Sequence, residues 1–519
     1  MTGRMTHAPR RMLFRLLCLA VLAGFSVLSA CAPVPLDAAK PVTRAQTSPG
    51  SGELSTAARR AGDPGQSSFV VLAKGNEALG ARLHLIEAAQ HTLDLQYFLM
   101  KPDLGGALIA HALLAAADRG VRVRVLLDDV FTTVDDRALG LLAAHPAIEL
   151  RIFNPAMRPG PKSLGFVTEF SRINRRMHNK TFTADGAFAI IGGRNIADEY
   201  FQIDTSSEFA DFDMLVTGRA VAEISGAFDL FWNDGWAIPV ERLRDPPSPA
   251  ELEAARRDLT MRLQPARKTY VDAINDPFFN QLRAGLVTVF SGPAHVATDR
   301  PDKLKVPVPE GERVLGETLL RRMKTARTEV ILLTPYFVPE DYGARLFADL
   351  AERGVRVRIV TNSLGSTNHA YVHAGYRRHR IPLLEAGVDL YEIRPDALQV
   401  LGLVPEGDQT GLVMHTKLAV IDGRQVFVGS LNLDPRSLKQ NTEFGLFIDS
   451  PPLARALVDA LQDDFPLYTY RVATRPGGGL EWHYDNPAAP SVATREPGAT
   501  VWKNIVVGIT ELIGAELQL

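Results

Sequence analysis

Apolar and polar positions along this chain follow two periods, and the same succession of periods runs twice. Residues 93–98 and 330–337 are β-rich apolar runs. Each leads into a stretch with apolar residues at helical spacing, 108–117 and 344–351, and then, past an Arg-Gly turn, into a strand beginning at Val121 or Val355. Strand, helix, strand in this order predicts a layered α/β architecture, with helices packed on a largely parallel sheet. The wording repeats as well as the pattern. Asp118-Arg-Gly-Val-Arg-Val-Arg-Val125 returns as Glu352-Arg-Gly-Val-Arg-Val-Arg-Ile359, and Met177-His-Asn-Lys180 returns as Met414-His-Thr-Lys417. The offsets are 234 between Gly120 and Gly354, 239 between Tyr97 and Tyr336, and 237 between His178 and His415. A near-constant offset over three blocks predicts two homologous domains, 67–245 and 305–470, joined by a connector, 246–304, and followed by a C-terminal extension, 471–519. The Val/Arg alternation from Val121 reads as an exposed sheet edge or as an arginine face beside an anionic site, the edge being favoured. Trp502, Ile505, Val506, Ile509, Leu512 and Ile513 stand at helical spacing, so the tail packs on the body or enters a membrane, with packing favoured.

The N-terminus changes the expected address. Arg4, Arg10, Arg11 and Arg15 precede a short apolar run, 16–28, that ends in Leu28-Ser29-Ala30-Cys31. A run of about thirteen apolar residues is short for a membrane span, which needs roughly twenty. The ending resembles a bacterial lipobox, which implies a signal peptide over 1–30, cleavage before Cys31 and lipid on its sulfur; the alternative is an uncleaved inner-membrane anchor. Cleavage would remove four Arg and no acids, taking the formal charge from −2 to −6. Ala32 after the cysteine suits outer-membrane sorting, so the expected location is the periplasm-facing cell envelope of a Gram-negative-type bacterium. Residues 31–66, rich in Pro, Ala, Ser, Thr and Gly, read as a flexible tether.

Composition then narrows the chemistry. With 57 basic against 59 acidic residues the chain lacks the basic excess of a nucleic-acid coat, and two cysteines support neither a disulfide framework nor a cysteine-built metal site. The informative residues lie in the third repeated block. His178-x-Lys180 is followed by four residues and Asp185, then by six and Gly192-Gly193-x-Asn195. His415-x-Lys417, Asp422 and Gly429-Ser430-x-Asn432 keep the same spacings. Period-two spacing puts each His and Lys on one strand face. Asp-Gly at 185–186 and 422–423 predicts two-residue hairpin turns, which would set His178 opposite Gly193 and His415 opposite Ser430 and leave space beside each imidazole. Each half would then offer an imidazole, an ammonium and the carboxamide of Asn195 or Asn432 around a phosphate-sized vacancy. Asp185 and Asp422 belong to the motif but read as turn-makers. Orienting carboxylates are expected downstream, where Asp211-Phe-Asp-Met-Leu-Val216 answers Glu443-Phe-Gly-Leu-Phe-Ile448, and Asp211 and Glu443 are favoured over Glu208.

This double pattern resembles the phospholipase D superfamily, whose hallmark is the His-x-Lys-x4-Asp motif in two copies forming one site. Phe170-Ser-Arg-Ile-Asn-Arg-Arg-Met-His-Asn-Lys180, Gly192-Gly-Arg-Asn-Ile-Ala-Asp198, Val372-His-Ala-Gly-Tyr376 and Asn432-Leu-Asp-Pro-Arg-Ser437 look like its cardiolipin synthase C-type branch. The resemblance implies two α/β/α sandwich domains packed pseudo-symmetrically, with the active site at their interface. It implies His178 as nucleophile and His415 as general acid/base, with the reverse as the alternative. Lys180, Lys417, Asn195 and Asn432 would stabilise the phosphoryl oxygens, Gly193 and Ser430 would border the phosphate, and no cofactor or metal is called for. The implied reaction is phosphatidyl transfer through a phosphohistidine, phosphatidylglycerol accepting and phosphatidylethanolamine able to donate, to give cardiolipin. Hydrolysis to phosphatidic acid uses the same residues, while a nuclease or a scaffold fits the charge and the intact motifs less well. Two further groups have open readings. His369, His373 and His379 could ligate a metal, line a headgroup-facing wall or sit in solvent, the last favoured; Arg172, Arg175 and Arg176 raise the local potential or lie on an exposed loop.

Overall fold

The computed structural model describes residues 36–37, 39–62, 65–156, 169–203, 207–243 and 245–513. The signal segment and Cys31 lie outside the described residues. Each half is built on one mixed sheet. The first has nine strands in the order Phe290–Gly292, Ser67–Leu72, Asp213–Gly218, Phe188–Gly192, Thr181–Ala184, Thr92–Tyr97, Arg122–Asp128, Ile148–Phe153, Ala237–Pro239. The second has ten, in the order Ala294–Thr298, Phe444–Asp449, Gln425–Gly429, Leu418–Ile421, Glu329–Leu333, Arg356–Asn362, Asp389–Ile393, Thr469–Thr474, Leu480–Tyr484, Ser491–Ala493. The expected largely parallel sheet shrinks to three parallel strands per half, those starting at Thr92, Arg122 and Ile148 and at Glu329, Arg356 and Asp389. The remaining pairings in these two sheets are antiparallel; some are hairpins, such as Thr181–Ala184 with Phe188–Gly192, and others join strands far apart in the chain, such as Ser67–Leu72 with Asp213–Gly218.

Three apolar layers result. Helices Gly75–Ala88 and Leu104–Asp118 cover the outer face of the first sheet, and helices Val314–Lys324 and Glu340–Glu352 cover the second. Between the halves, Phe69, Ile191 and Met214 of one sheet share a core with Ile331, Val420 and Leu446 of the other. The inner faces thus bury each other, and the two domains form one body.

Several expected boundaries move. The connector supplies one strand to each sheet, Phe290–Gly292 beside Ser67–Leu72 and Ala294–Thr298 beside Phe444–Asp449. Its long helix Pro249–Ile274, begun by a Ser248/Glu251 capping box, packs on the first domain's helices. The second sheet continues past residue 470 through strand Thr469–Thr474, which straddles the expected boundary, and two further strands of the C-terminal extension. The described part of the tether is docked rather than free. Thr43 Oγ1 accepts from Trp232 Nε1 at 2.8 Å, and Ala45 N donates to Asp229 at 2.9 Å. Polar composition suggested a loose segment, yet it satisfies buried donors of the first domain.

The Val/Arg alternation marks neither the favoured exposed edge nor an arginine face turned to an anionic site. Its strand is central, and Arg124 is fully buried, 2.6 Å from Asp94 and 3.1 Å from Asp229. Arg358 repeats this with Glu329 at 2.6 Å. A buried cation survives only with such partners.

Candidate active site

Both motif hairpins turn where expected. Asp185 and Gly186 have φ of 51° and 59°, and Asp422 and Gly423 have 53° and 57°, the left-handed pair a type I′ turn requires. The residue after each turn bulges. Ala187 N donates to Ala184 O, yet the ladder resumes at Ala184↔Phe188; likewise Arg424 N donates to Ile421 O while Ile421 pairs with Gln425. This one-residue shift overturns the expected facing of His178 by Gly193 and of His415 by Ser430, since a slip of one exchanges strand faces. The ladders also stop at Thr181 and Leu418, short of the histidines.

Each histidine is instead stitched to the opposite half. Strand Gly411–Met414 pairs in parallel with Ser207–Ala210, and His415 N donates to Ala210 O at 2.8 Å. Met177 bridges to Thr442, and His178 N donates to Thr442 O at 2.9 Å. The carboxylates cross over too. His178 Nδ1 lies 2.9 Å from Glu443 Oε2, and His415 Nδ1 lies 2.6 Å from Asp211 Oδ2. A proton on Nδ1 donated to the carboxylate leaves Nε2 of each ring with a free lone pair.

Burial and charge hold both rings neutral. Burial pushes the His178 imidazole well below its usual range, followed by the charges of Lys180, Lys417 and Arg436. His415 is depressed the same way by burial, then by Lys417, Lys180 and His178 itself. Each lysine therefore acts on both imidazoles, and the two motifs share one electrostatic site. Burial also lowers Lys180 to about 7 and Lys417 to about 8, and raises Glu443 to about 7. Lys180 Nζ donates to His178 O at 2.6 Å, and Lys417 Nζ sits 2.9 Å from His415 Nδ1. Aromatic walls differ between the rings: Phe98 meets His178 edge-on at 4.7 Å, whereas Tyr200 edges and Phe209 stacks on His415 at 5.2 and 5.5 Å.

Other motif residues take places the spacing did not indicate. A Cβ on Gly193 would lie 2.2 Å from Asp211 Oδ1, so the missing side chain seats the carboxylate that holds His415, and does not open space for phosphate. Ser430 stands at the matching position and donates to Glu443, while its oxygen accepts from Phe444 N at 3.0 Å. Each thus adjoins the carboxylate that holds the opposite half's histidine. Asn195 Nδ2 donates to Tyr200 Oη at 2.9 Å, leaving its buried Oδ1, like that of Asn432, without a partner. Turning the Asn195 amide over lets Tyr200 donate to Oδ1 and frees two N–H donors, the orientation an anionic oxygen would select.

Asp185 and Asp422, grouped by motif with the chemistry, stand at the far ends of their hairpins, roughly 20 Å of chain from the histidines at ~3.3 Å per residue. Asp185 accepts from the backbone N–H of Gln90, His91 and Thr92 at 2.8–2.9 Å, and Asp422 from those of Arg327, Thr328 and Glu329 at 2.8–3.2 Å. They fasten each turn to the strand beside it. Arg172 and Arg176 are engaged by Glu169 and Asp128, and Arg175 by backbone oxygens, so this cluster is structural. His373 and His379 are buried, contrary to a solvated reading, and His369 faces Tyr336. Among the described residues no group of three or more His, Cys, Asp or Glu is arranged to hold a metal.

One repeated pair escaped the sequence reading. Asp128 accepts from Met177 N at 2.9 Å, and Asn362, 234 positions later, accepts from Met414 N at 2.9 Å. Both clamp the residue before a motif histidine. Extending the 118/352 repeat by a few residues would have aligned them.

Comparison with known proteins agrees with this layout. The family model described as "Cardiolipin synthase, PLD-like domain" matches residues 83–231 and 319–465, one copy in each half. Cardiolipin synthase C of Escherichia coli (strain K12) is 36% identical over 465 residues, spanning 88% of this chain and 97% of its own. A cardiolipin synthase of Geobacillus thermodenitrificans (strain NG80-2) is 26% identical over 400 residues, covering 77% of this chain and 66% of its own. The crystal structure of phosphatidylserine synthase from Haemophilus influenzae Rd KW20 superposes with a TM-score of 0.57 at 14% identity, over 87% of this chain and 95% of that one, and so shares the fold. Two matched PLD-like domains and a full-length relative at this identity establish that the chain belongs to the phospholipase D-like cardiolipin synthase family.

Proposed function

We propose that this enzyme transfers a phosphatidyl group between phospholipids through a phosphohistidine on His178, forming cardiolipin. The observation that carries the reading is the crossed pair of imidazole–carboxylate contacts, with both lysines acting on both rings. His178 Nε2, neutral and aimed by Glu443, attacks the donor's phosphorus. The P–O bond to the headgroup alcohol breaks, and His415 gives that alcohol its proton. His415 then takes the proton of the incoming lipid hydroxyl, whose oxygen attacks phosphorus as the N–P bond breaks. In the empty site the lysines oppose a proton on His415. An arriving phosphodiester anion offsets their charge and makes the imidazolium available. Lys180, Lys417 and the carboxamides of Asn195 and Asn432 supply donors to the non-bridging oxygens, where one preorganised donor is commonly worth about 10²–10³ in rate.

Phosphatidylethanolamine as donor and phosphatidylglycerol as acceptor are the proposed pair, and cardiolipin as the product is in keeping with the name of the Escherichia coli relative. Lipid on Cys31 would hold the enzyme at the periplasmic face of an envelope membrane, where both lipids lie. The test is product analysis with isotopically labelled phosphatidylglycerol and phosphatidylethanolamine. Labelled cardiolipin is expected, and phosphatidic acid alone would replace transfer by hydrolysis. Loss of metabolic fatty-acid labelling in Cys31→Ala tests the anchor.

A further inference from the structure

The C-terminal helix Val501–Ile513 shows an apolar stripe that no described residue covers. Val501, Trp502, Ile505, Ile509 and Leu512 are 78, 69, 46, 53 and 86% exposed. At 100° per residue these five positions fall within an arc of about 100° that contains no charged side chain. The opposite side is docked. Val507 is fully buried, and Lys503 Nζ donates to Gly365 O and Thr367 O at 2.6 and 2.8 Å. The stripe is therefore turned outward by a fixed seat.

That seat adjoins the active site. The helix packs on helix Ala370–Arg377 and on the loop that follows strand Arg356–Asn362. Asn362 clamps Met414, and His369 in the same loop is close enough to His415 to lower its proton affinity. Exposed rings also stand on three other segments linked to the histidines or to the helix's seat. Phe131 packs on Phe98, which packs on His178; Phe170 begins the helix that leads to His178; Tyr371 extends from helix Ala370–Arg377.

We propose that helix Val501–Ile513 is an interfacial docking element that lies side-on in the surface of a phospholipid bilayer and sets the mouth of the active site against the lipid. Thirteen residues extend only about 20 Å, too short to cross the hydrocarbon but suited to lying along it, with an apolar arc sunk among acyl chains and a tryptophan at the headgroup boundary. A membrane suits this patch better than a protein partner, because it joins the site at which, on the proposed function, lipid phosphodiesters react. The inference rests on that reading for its motive but is tested without turnover.

Of the four tryptophans, Trp232, Trp236 and Trp482 are buried and Trp502 alone is exposed, so the chain carries its own reporter. Full-length protein is reconstituted in phosphatidylethanolamine/phosphatidylglycerol vesicles with brominated acyl chains. Quenching and a blue shift of the Trp502 emission are expected, with equal quenching in His178→Ala, loss of the quenchable component in Trp502→Phe, and weaker quenching in Ile505→Ser/Ile509→Ser. The last variant should also lose turnover on vesicles while keeping turnover of detergent-dispersed lipid. Unquenched emission, or quenching that survives Trp502→Phe, overturns the proposal. So does Trp502 emission already blue and concentration-dependent before lipid is added, which would mean that a second copy covers the stripe. Quenching without any cardiolipin product leaves the docking standing and removes the phosphatidyl-transfer reading instead.

Discussion

Replacing Gly193 by alanine puts one methyl group in the first half and should silence the histidine of the second. The new Cβ would lie 2.2 Å from Asp211 Oδ1 and 2.8 Å from both Cγ and Oδ2. Ordinary contact begins near 3.4 Å, so the carboxylate must retreat by about 1 Å. Its hydrogen bond to His415 Nδ1, now 2.6 Å, would then stretch past the limit of about 3.2 Å for a useful N–H···O bond. Freed of that bond, the ring loses both its fixed tautomer and its aim. A misplacement of about 1 Å at a reacting group costs on the order of 10² in rate, and replacing an orienting carboxylate in a histidine triad costs about 10⁴. Gly193→Ala should therefore lower kcat by roughly 10²–10⁴, within that range of precedent, with KM little changed. The assay is cardiolipin formation by purified protein, with a thermal melt to show that the fold persists. The second half contains its own counter-design, a longer acid with a serine donor, Glu443 with Ser430. Gly193→Ser/Asp211→Glu should accordingly recover activity over Gly193→Ala. A wild-type kcat in Gly193→Ala would refute the claim that this glycine seats the carboxylate of the opposite half's histidine.

Three further outcomes follow from the same geometry. His178→Ala and His415→Ala should each abolish turnover with melting temperatures near wild type, and substantial activity in either would separate the two motifs. Lys180 and Lys417, lowered to about 7 and 8, lose their charge as pH rises through 7–8, and Glu443, raised to about 7, takes up a proton below it, so kcat/KM for an anionic phospholipid should peak near 7 and fall on the alkaline side; Lys180→Arg should move the alkaline fall upward, and a profile flat to pH 9 would contradict the assignment. Asp185→Ala should cost about 3 kcal/mol of stability by stranding three backbone N–H groups, with unchanged turnover in the folded fraction; normal melting with lost activity would return Asp185 to the chemistry.

What the chain discloses before folding is what local chemistry specifies. The duplicated strand–helix–strand, the Asp-Gly turns and the pairing of His with Lys are all short-range and all legible. Legibility fails where a residue's meaning comes from a distant element. Arginine alternating with valine looks exposed until Asp94 and Asp229 arrive to bury Arg124. Residues 39–62 look loose until Trp232 and Asp229 claim Thr43 and Ala45 as hydrogen-bond partners. The register of both hairpins turns on a single bulged residue, for which neither Ala187 nor Arg424 provides a signal. Asp211 and Glu443 could be picked out as strand-leading acids, but which histidine each would hold depends on the packing of one domain against the other.

That crossing makes the site a property of the interface. Each domain carries a histidine it cannot orient and a carboxylate with no ring of its own to hold, so neither half is a smaller version of the enzyme. The halves also depart from symmetry at this contact. The first half pairs a glycine with the shorter acid, and the second pairs a serine with the longer one. One ring is edged by a single phenylalanine, while the other is held between Tyr200 and Phe209 with an ammonium 2.9 Å from its Nδ1. A duplicated fold that kept two identical sites would give two identical imidazoles. The proposed transfer would need one ring to accept phosphorus and the other to carry the proton, and divergence at the carboxylate seats and aromatic walls gives the two rings different surroundings within one charge-coupled pocket.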